Sequence, residues 1–138
     1  MYTVDDCKLL SFAELGDDRG ELIVVEGGQG KQLPFIVKRL FYIYDTKQDT
    51  VSGKHANKYS EFCFINIKGS CCIKVIDQNM QEKTFILNKP NTGLYMPKML
   101  WKEMYGFSSD CIMLVLSNEH YNKTEYITDL QEYGGRHE

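Results

Sequence analysis

Short runs of apolar, β-branched and aromatic residues recur along the chain, separated by glycine, proline, asparagine and aspartate. Such runs read as strands, because residues of these types pack well on a pleated, half-buried surface. They fall at 7–12, 21–26, 35–44, 61–68, 71–76, 83–87, 93–97, 101–105 and 111–117. The turn signals between them include Gly16-Asp17-Asp18-Arg19-Gly20, Gly27-Gly28-Gln29-Gly30, Asp77-Gln78-Asn79 and Asn88-Lys89-Pro90-Asn91. Residues 45–53 form a polar connection, and residues 119–133, with Tyr121, Tyr126, Ile127 and Leu130, read as a short helix or an ordered arm. No long stretch has the 3.6-residue period of an amphipathic helix. Many short strands at regular spacing predict an all-β fold, a jelly-roll barrel or sandwich, built as a single domain over residues 1–138. The rhythm itself carries no chemistry.

Composition narrows the class. At 43% hydrophobic and 25% charged, the chain is an ordinary globular sequence with enough apolar residues for a real core. Its net charge of −3 argues against general affinity for nucleic acid. No apolar run reaches the roughly 20 residues of a membrane helix, and the N-terminal Met1-Tyr2-Thr3-Val4-Asp5-Asp6 lacks a signal-peptide pattern. A cytoplasmic protein is expected. The five cysteines, Cys7, Cys63, Cys71, Cys72 and Cys111, are odd in number and without C-x-x-C spacing, so buried free thiols are expected.

Candidate chemistry gathers around Ser52-Gly53-Lys54-His55-Ala56-Asn57-Lys58-Tyr59-Ser60-Glu61. His55 is one of three histidines, and the apolar Phe62, Phe64, Ile65 and Ile67 follow at once. Side chains alternate across a strand, so His55 and Asn57 would share a face, with Ala56 opposite, and Lys54 would share a face with Ser52. His55 is either an edge-strand histidine beside a turn or the base of a pocket. The cupin group of jelly rolls holds a metal with H-x-H, a Glu four residues on and a late His. The corresponding positions here are His55, Asn57, Glu61 and Lys102. An ammonium cannot donate to a metal, so no metal is expected.

Several motifs recur in one order: Phe35-Ile36-Val37-Lys38-Arg39-Leu40-Phe41-Tyr42-Ile43, Gly53-x-His55-Ala56-x-Lys58, Gly93-Leu94-Tyr95, Trp101-x-Glu103-Met104, Phe107-Ser108-x-Asp110-Cys111 and Tyr121-x-x-x-Glu125-Tyr126-Ile127. Together they resemble the sugar 3,4-ketoisomerase family, FdtA/QdtA/WxcM-like, over nearly the whole chain. The resemblance implies a cupin barrel without metal or other cofactor, and a homodimer that exchanges an N-terminal strand. It also implies dTDP-4-keto-6-deoxyglucose as substrate and its 3-keto isomer, a precursor of 3-amino sugars, as product. Moving the ketone needs a base at C3, an enediol and a proton returned to C4, and imidazole suits this work near neutral pH. By motif position His55 would be that base, with Arg19 and Lys102 as further catalytic positions. Arg39, Phe41, Ser52, Gly53, Lys54, Asn57, Lys58, Glu61, Tyr95, Trp101 and Glu103 would bind the nucleotide sugar.

Four positions depart from the family's usual pattern. Asn57 stands for a second histidine, and an amide cannot carry a proton. Phe41 stands for a tyrosine, Ser52 for an arginine expected to contact diphosphate, and Lys102 for histidine or arginine. Lys54 could restore the charge missing at Ser52, as a point charge and not a fork. Arg19 and Lys102 match positions where relatives of different C4 stereochemistry differ. Arg19 leans to the galacto outcome, and Lys102 fits neither type. Two other readings stay open: a binding protein that has lost the proton relay, and an isomerase or epimerase for a different nucleotide sugar.

Overall fold

In the computed structural model, which describes residues 1–135, ten strands form two antiparallel sheets packed face to face. In chain order they are β1 (Lys8–Ser11), β2 (Arg39–Tyr44), β3 (Ser52–Asn57), β4 (Phe62–Lys68), β5 (Cys71–Ile76), β6 (Glu82–Leu87), β7 (Thr92–Met96), β8 (Trp101–Tyr105), β9 (Ile112–Ser117) and β10 (Tyr126–Ile127). One sheet has the order β1-β7-β4-β9-β2 and the other β10-β3-β8-β5-β6. A five-residue helix, α1 (Leu130–Gly134), follows β10. This is the all-β jelly-roll sandwich expected from the spacing of strands and turns, with the C-terminal segment split between a two-residue strand and that helix.

The main core lies between the sheets. Phe62 and Phe64 of β4, Met113 and Val115 of β9, and Leu94 and Met96 of β7 meet Ile73 and Val75 of β5, Leu87 of β6 and Met104 of β8. These are alternate residues, as the period of two requires. The intervening residues of β4, Cys63 and Ile65, are also buried, because Phe12, Leu33 and Phe35 cover the outer face of their sheet. That double burial explains why β4 reads as a continuous apolar run. On the outer face of the second sheet, Ala56, Ile76 and Trp101 pack with Ile127 and Tyr133. All five cysteines are free thiols, and all but Cys72 are buried.

Two expected strands differ. Residues 21–26 form only an isolated bridge, Glu14 with Ile23, because no neighbouring strand completes a ladder there; Leu22 and Val24 are exposed. The strand expected over 35–44 begins at Arg39. Its partner β9 ends at Ser117, opposite Arg39, so the residues before it have no strand to pair with and turn instead to cover Cys63 and Ile65.

β3 carries the decisive irregularity. Its register against β8 shifts between Gly53 and His55, and Gly53 and Lys54 both take left-handed backbone angles, φ 85° and 59°. Two successive residues in that region form a bulge that breaks the alternation of faces. Ser52 and Lys54 therefore do not share a face as a regular strand would dictate. Lys54 is exposed, while Ser52 lines the interior cavity.

Candidate active site

At one end of the sandwich a cavity of about 190 Å³ opens between the sheets. Phe41 and Ile43 of β2, Phe62 and Phe64 of β4, Ser52, Gly53 and His55 of β3, Lys102 and Met104 of β8, and Tyr126 of β10 line it. The pairing of β3 with β8 puts His55 directly across from Lys102. The pairing of β10 with β3 brings Tyr126 beside Asn57, and the Tyr126 ring lies 4.6 Å from the His55 ring, centroid to centroid.

The hydrogen bonds fix the protonation pattern. His55 Nδ1 is 3.1 Å from Asn57 Oδ1, and Lys102 Nζ donates to the same oxygen at 2.9 Å. A carbonyl oxygen only accepts, so Nδ1 carries the imidazole hydrogen and Nε2 the free lone pair. The Lys102 Nζ to His55 Nδ1 approach, 3.4 Å, is then a meeting of two donors and repels. Asn57 thus orients the imidazole in the tautomer that a base acting through Nε2 requires.

The charges are unusual. Lys102 is 3% exposed, and its ammonium lies 4.4 Å from the centroid of the Phe62 ring. Burial lowers its pKa to about 7, with Glu125 opposing the fall and Arg39 adding to it. Burial and then the Lys102 charge lower His55 to about 3, against smaller opposing effects of Asn57 and Glu125. The imidazole is therefore neutral through the physiological range, and the lysine can gain or lose a proton near neutrality.

Arg39 stands at the start of β2. Its guanidinium lies over Phe41 at 5.4 Å, with Phe62 and Tyr121 at 6.0 Å. Its hydrogen bonds to Ser60 and Ser117 are long, 3.4 and 3.5 Å, and its buried Nε has no partner among the described residues. Phe41, in the position of a family tyrosine, meets Phe62 edge to face at 6.5 Å. The expected residues that the fold gathers at the cavity are therefore His55, Lys102, Asn57, Phe41, Ser52 and Gly53, with Arg39 touching the wall at Phe41 and Phe62.

Other expected site residues lie elsewhere in this chain. Arg19 is in the Asp17–Gly20 turn, its side chain 88% exposed and paired with Asp17 at 2.6 Å. Lys58 meets the segment before β10 through its backbone N–H, which donates to the Glu125 carbonyl. Glu61 accepts from Tyr95 Oη at 2.5 Å and from Asn118 at 3.1 Å. Burial and the Glu61 contact push the Tyr95 phenol pKa up. Tyr95 lines a separate open hollow with Tyr2, Lys8, Pro34 and Pro97. Trp101 is buried against Tyr133, and its Nε1 donates to Glu103, which also pairs with Lys74. Trp101 thus packs beneath α1 through Tyr133.

Sequence reasoning did not single out Glu125. It is 1% exposed and accepts from the Tyr59 and Ser60 amides, both at 2.9 Å, and from Ser60 Oγ at 2.5 Å. Burial alone would raise its pKa, but the Ser60 hydroxyl and the two amides outweigh it and hold the carboxyl below its ordinary value. The one available signal was its place between Tyr121 and Tyr126-Ile127 in a quoted motif.

The fold and the cavity define a cupin-type sandwich that brings a neutral imidazole and a buried lysine together across two paired strands. The model of the family described as WxcM-like, C-terminal (FdtA), matches residues 5–137, and the chain belongs to this sugar 3,4-ketoisomerase family. It is 39% identical over 127 residues to the TDP-4-oxo-6-deoxy-alpha-D-glucose-3,4-oxoisomerase of Aneurinibacillus thermoaerophilus, covering 91% of this chain and 88% of that one. Among solved structures, WlaRA, a TDP-fucose-3,4-ketoisomerase from Campylobacter jejuni, is 42% identical with a TM-score of 0.86 over 94% of this chain and 93% of that one. QdtA, a sugar 3,4-ketoisomerase from Thermoanaerobacterium thermosaccharolyticum solved with TDP, is 33% identical with a TM-score of 0.89 over 95% and 93%.

Proposed function

We propose that the protein is a TDP-4-keto-6-deoxyglucose 3,4-ketoisomerase that works with its own side chains and no cofactor. The observation that carries this reading is the His55–Asn57–Lys102 cluster at the cavity of a family member. Its relatives include a TDP-4-oxo-6-deoxyglucose 3,4-oxoisomerase and QdtA, one structure of which holds TDP-4-keto-6-deoxyglucose.

His55 Nε2 takes the hydrogen from C3 of the 4-keto sugar, and the electrons move onto the C4 oxygen. Lys102 protonates that oxygen, which completes an enediol. In the second half the C3 hydroxyl returns its proton to Lys102 and the carbonyl forms at C3. His55 returns its proton to C4. The C3–H and O3–H bonds broken are balanced by the C4–H and O4–H bonds formed, with no change in oxidation of the molecule as a whole. The two groups assist each other. When Lys102 gives up its proton, the repulsion that depresses His55 is relieved, so the imidazole becomes more basic as it must hold one. A lysine with a pKa of about 7 suits both donation and recapture. This supports activity despite Asn57 in place of a second histidine and Phe41 in place of a tyrosine. The Arg39 guanidinium, without a carboxylate partner among the hydrogen bonds described, suits the diphosphate.

We also place the enzyme in the cytoplasm, as a homodimer. Edge strand β2 exposes Leu40, Tyr42 and Tyr44, and the preceding segment exposes Leu15, Leu22, Val24 and Ile36. An unpaired apolar edge of this kind suits a second copy. An exchanged N-terminal segment would carry Arg19 toward the partner's cavity.

Incubation with TDP-4-keto-6-deoxyglucose, followed by NMR of the sugar, tests the reading. Formation of the 3-keto isomer is expected. Tight TDP binding without turnover would instead make the protein a binder.

A further inference from the structure

Phe62 holds a place at the cavity that the proton transfers above do not use. It belongs to β4, where alternation turns it inward while Cys63 is buried on the outer face. It is 3% exposed, and its ring reaches from the first sheet to the Lys102 ammonium on the second, 4.4 Å from centroid to nitrogen. An edge-to-face contact with Phe41 and a tilted contact with Phe64 fix the plane of that ring. An aromatic ring carries negative charge on its face and attracts a cation at such a distance, more strongly away from water. Lys102 has little else to hold its charge. An ammonium has three N–H donors, and one goes to Asn57 Oδ1 at 2.9 Å. Its approach to His55 Nδ1 repels. Among the described residues no carboxylate lies within ion-pair distance of it. The charged and titratable groups around it are His55 of β3, Arg39 of β2, Tyr126 of β10 and Glu125 just before β10. The Arg39 guanidinium also stands 6.0 Å from the Phe62 centroid, so two cations meet one ring.

We propose that Phe62 is a positioning residue of the isomerase: the face of its ring is the seat of the Lys102 ammonium, holding it charged and in place at the cavity. The ring stands where a carboxylate would stand in a buried ion pair. A carboxylate would grip the ammonium and compete for its proton. A ring attracts the charge but cannot take the proton, which stays available to the C4 oxygen. With Asn57 accepting one N–H and the ring another, the third is left for the substrate. The catalytic consequence rests on the isomerase reading above, whereas the seat can be read without turnover. Only the charged lysine donates to the C4 oxygen, so a weaker ring withdraws the basic limb of the rate profile to lower pH.

Fluorine on the ring draws electron density from its face while leaving its size nearly unchanged, so it weakens the attraction in steps. The full-length protein is prepared with one, two or three ring fluorines on Phe62, and with the most fluorinated ring at Phe12, which is buried on the outer face of the first sheet. NMR of protein labelled with carbon-13 at lysine Cε, with the Lys102 signal assigned by its loss in Lys102→Met, follows the proton on Lys102 with no substrate. The pH dependence of kcat on TDP-4-keto-6-deoxyglucose follows its use. The Lys102 midpoint and the basic limb of kcat move down together with each fluorine on Phe62, by roughly one pH unit in all, with KM changed by less than about threefold. The fluorinated ring at Phe12 leaves both within a few tenths of a unit. A Lys102 midpoint that does not move when Phe62 is fluorinated, or that moves as far from Phe12, overturns the proposal. So does a fall in kcat by one factor at every pH, which marks a structural role. If the fluorinated chains do not fold, Phe62→Leu keeps an apolar side chain without a ring face, and an unmoved midpoint in that variant overturns the proposal equally. An inactive wild type whose Lys102 midpoint still follows the fluorines rejects the isomerase reading and keeps the seat.

Discussion

Replacing Lys102 by methionine removes a buried ammonium while leaving a long apolar side chain over Phe62. The sign and size of the effect follow from where the lysine titrates. In the unfolded chain its pKa is 10.5, and in the folded protein about 7. Below about pH 7 both states hold the proton, and folding carries the full cost of burying the charge. Between about 7 and 10.5 the unfolded chain holds a proton that the folded one has lost, so stability rises with pH; above 10.5 the penalty is gone. A fall from 10.5 to about 7 corresponds to about 5 kcal/mol at about 1.4 kcal/mol per pH unit. Lys102→Met loses the hydrogen bond to Asn57, which costs about 1–2 kcal/mol. The variant should therefore be about 3–4 kcal/mol more stable than the wild type at pH 6 and lose that advantage by about pH 10, while isomerase activity falls at every pH. Urea unfolding at a series of pH values, under reductant because all five cysteines are free, measures the difference directly. A stability difference equal at pH 6 and 9.5, or a variant less stable at pH 6, would refute the claim that a buried ammonium faces His55.

Two further outcomes test parts of the account that Lys102 does not touch. Gly53→Ala should lose about 1–2 kcal/mol on chemical unfolding, because Gly53 has φ 85° and an added Cβ would come within 3.0 Å of the Lys102 carbonyl oxygen; it should also lower kcat by shifting His55. Tyr42→Asp places a charge among Leu40, Tyr42 and Tyr44 on the exposed edge, and sedimentation should then show a monomer where the wild type sediments as a dimer.

What the sequence could and could not reveal divides along physical lines. β2 alternates strictly between half-buried and exposed residues, and the stretch from Phe62 to Ile65 is buried on both faces, so local pattern alone marks them as strands. The apolar residues 21–26 carry the same local pattern but no ladder, because pairing depends on a neighbour that the sequence does not name. His55 and Asn57 share a face as simple alternation predicts. Lys54 does not follow that rule, because the bulge at Gly53 resets the alternation. His55 and Lys102 were both legible as site residues through motif order, and their register adds that they face each other. Glu125 was not legible, since its partners lie 65 and 66 residues away. A lone acidic residue in a polar tail has the local character of a solvated surface.

The most direct test of the central claim is deuterium incorporation. The wild type and His55→Asn are incubated with TDP-4-keto-6-deoxyglucose in deuterated water, and the sugar is read by NMR and mass spectrometry. The account predicts that the wild type forms the 3-keto isomer, with solvent deuterium at C4 in those turnovers in which the imidazole proton exchanges before its return, and that His55→Asn still binds TDP but isomerises about 10²–10⁴-fold more slowly. Wild-type rates in His55→Asn would contradict the role of the imidazole, and neither isomer nor deuterium uptake in the wild type would contradict the proposed reaction itself.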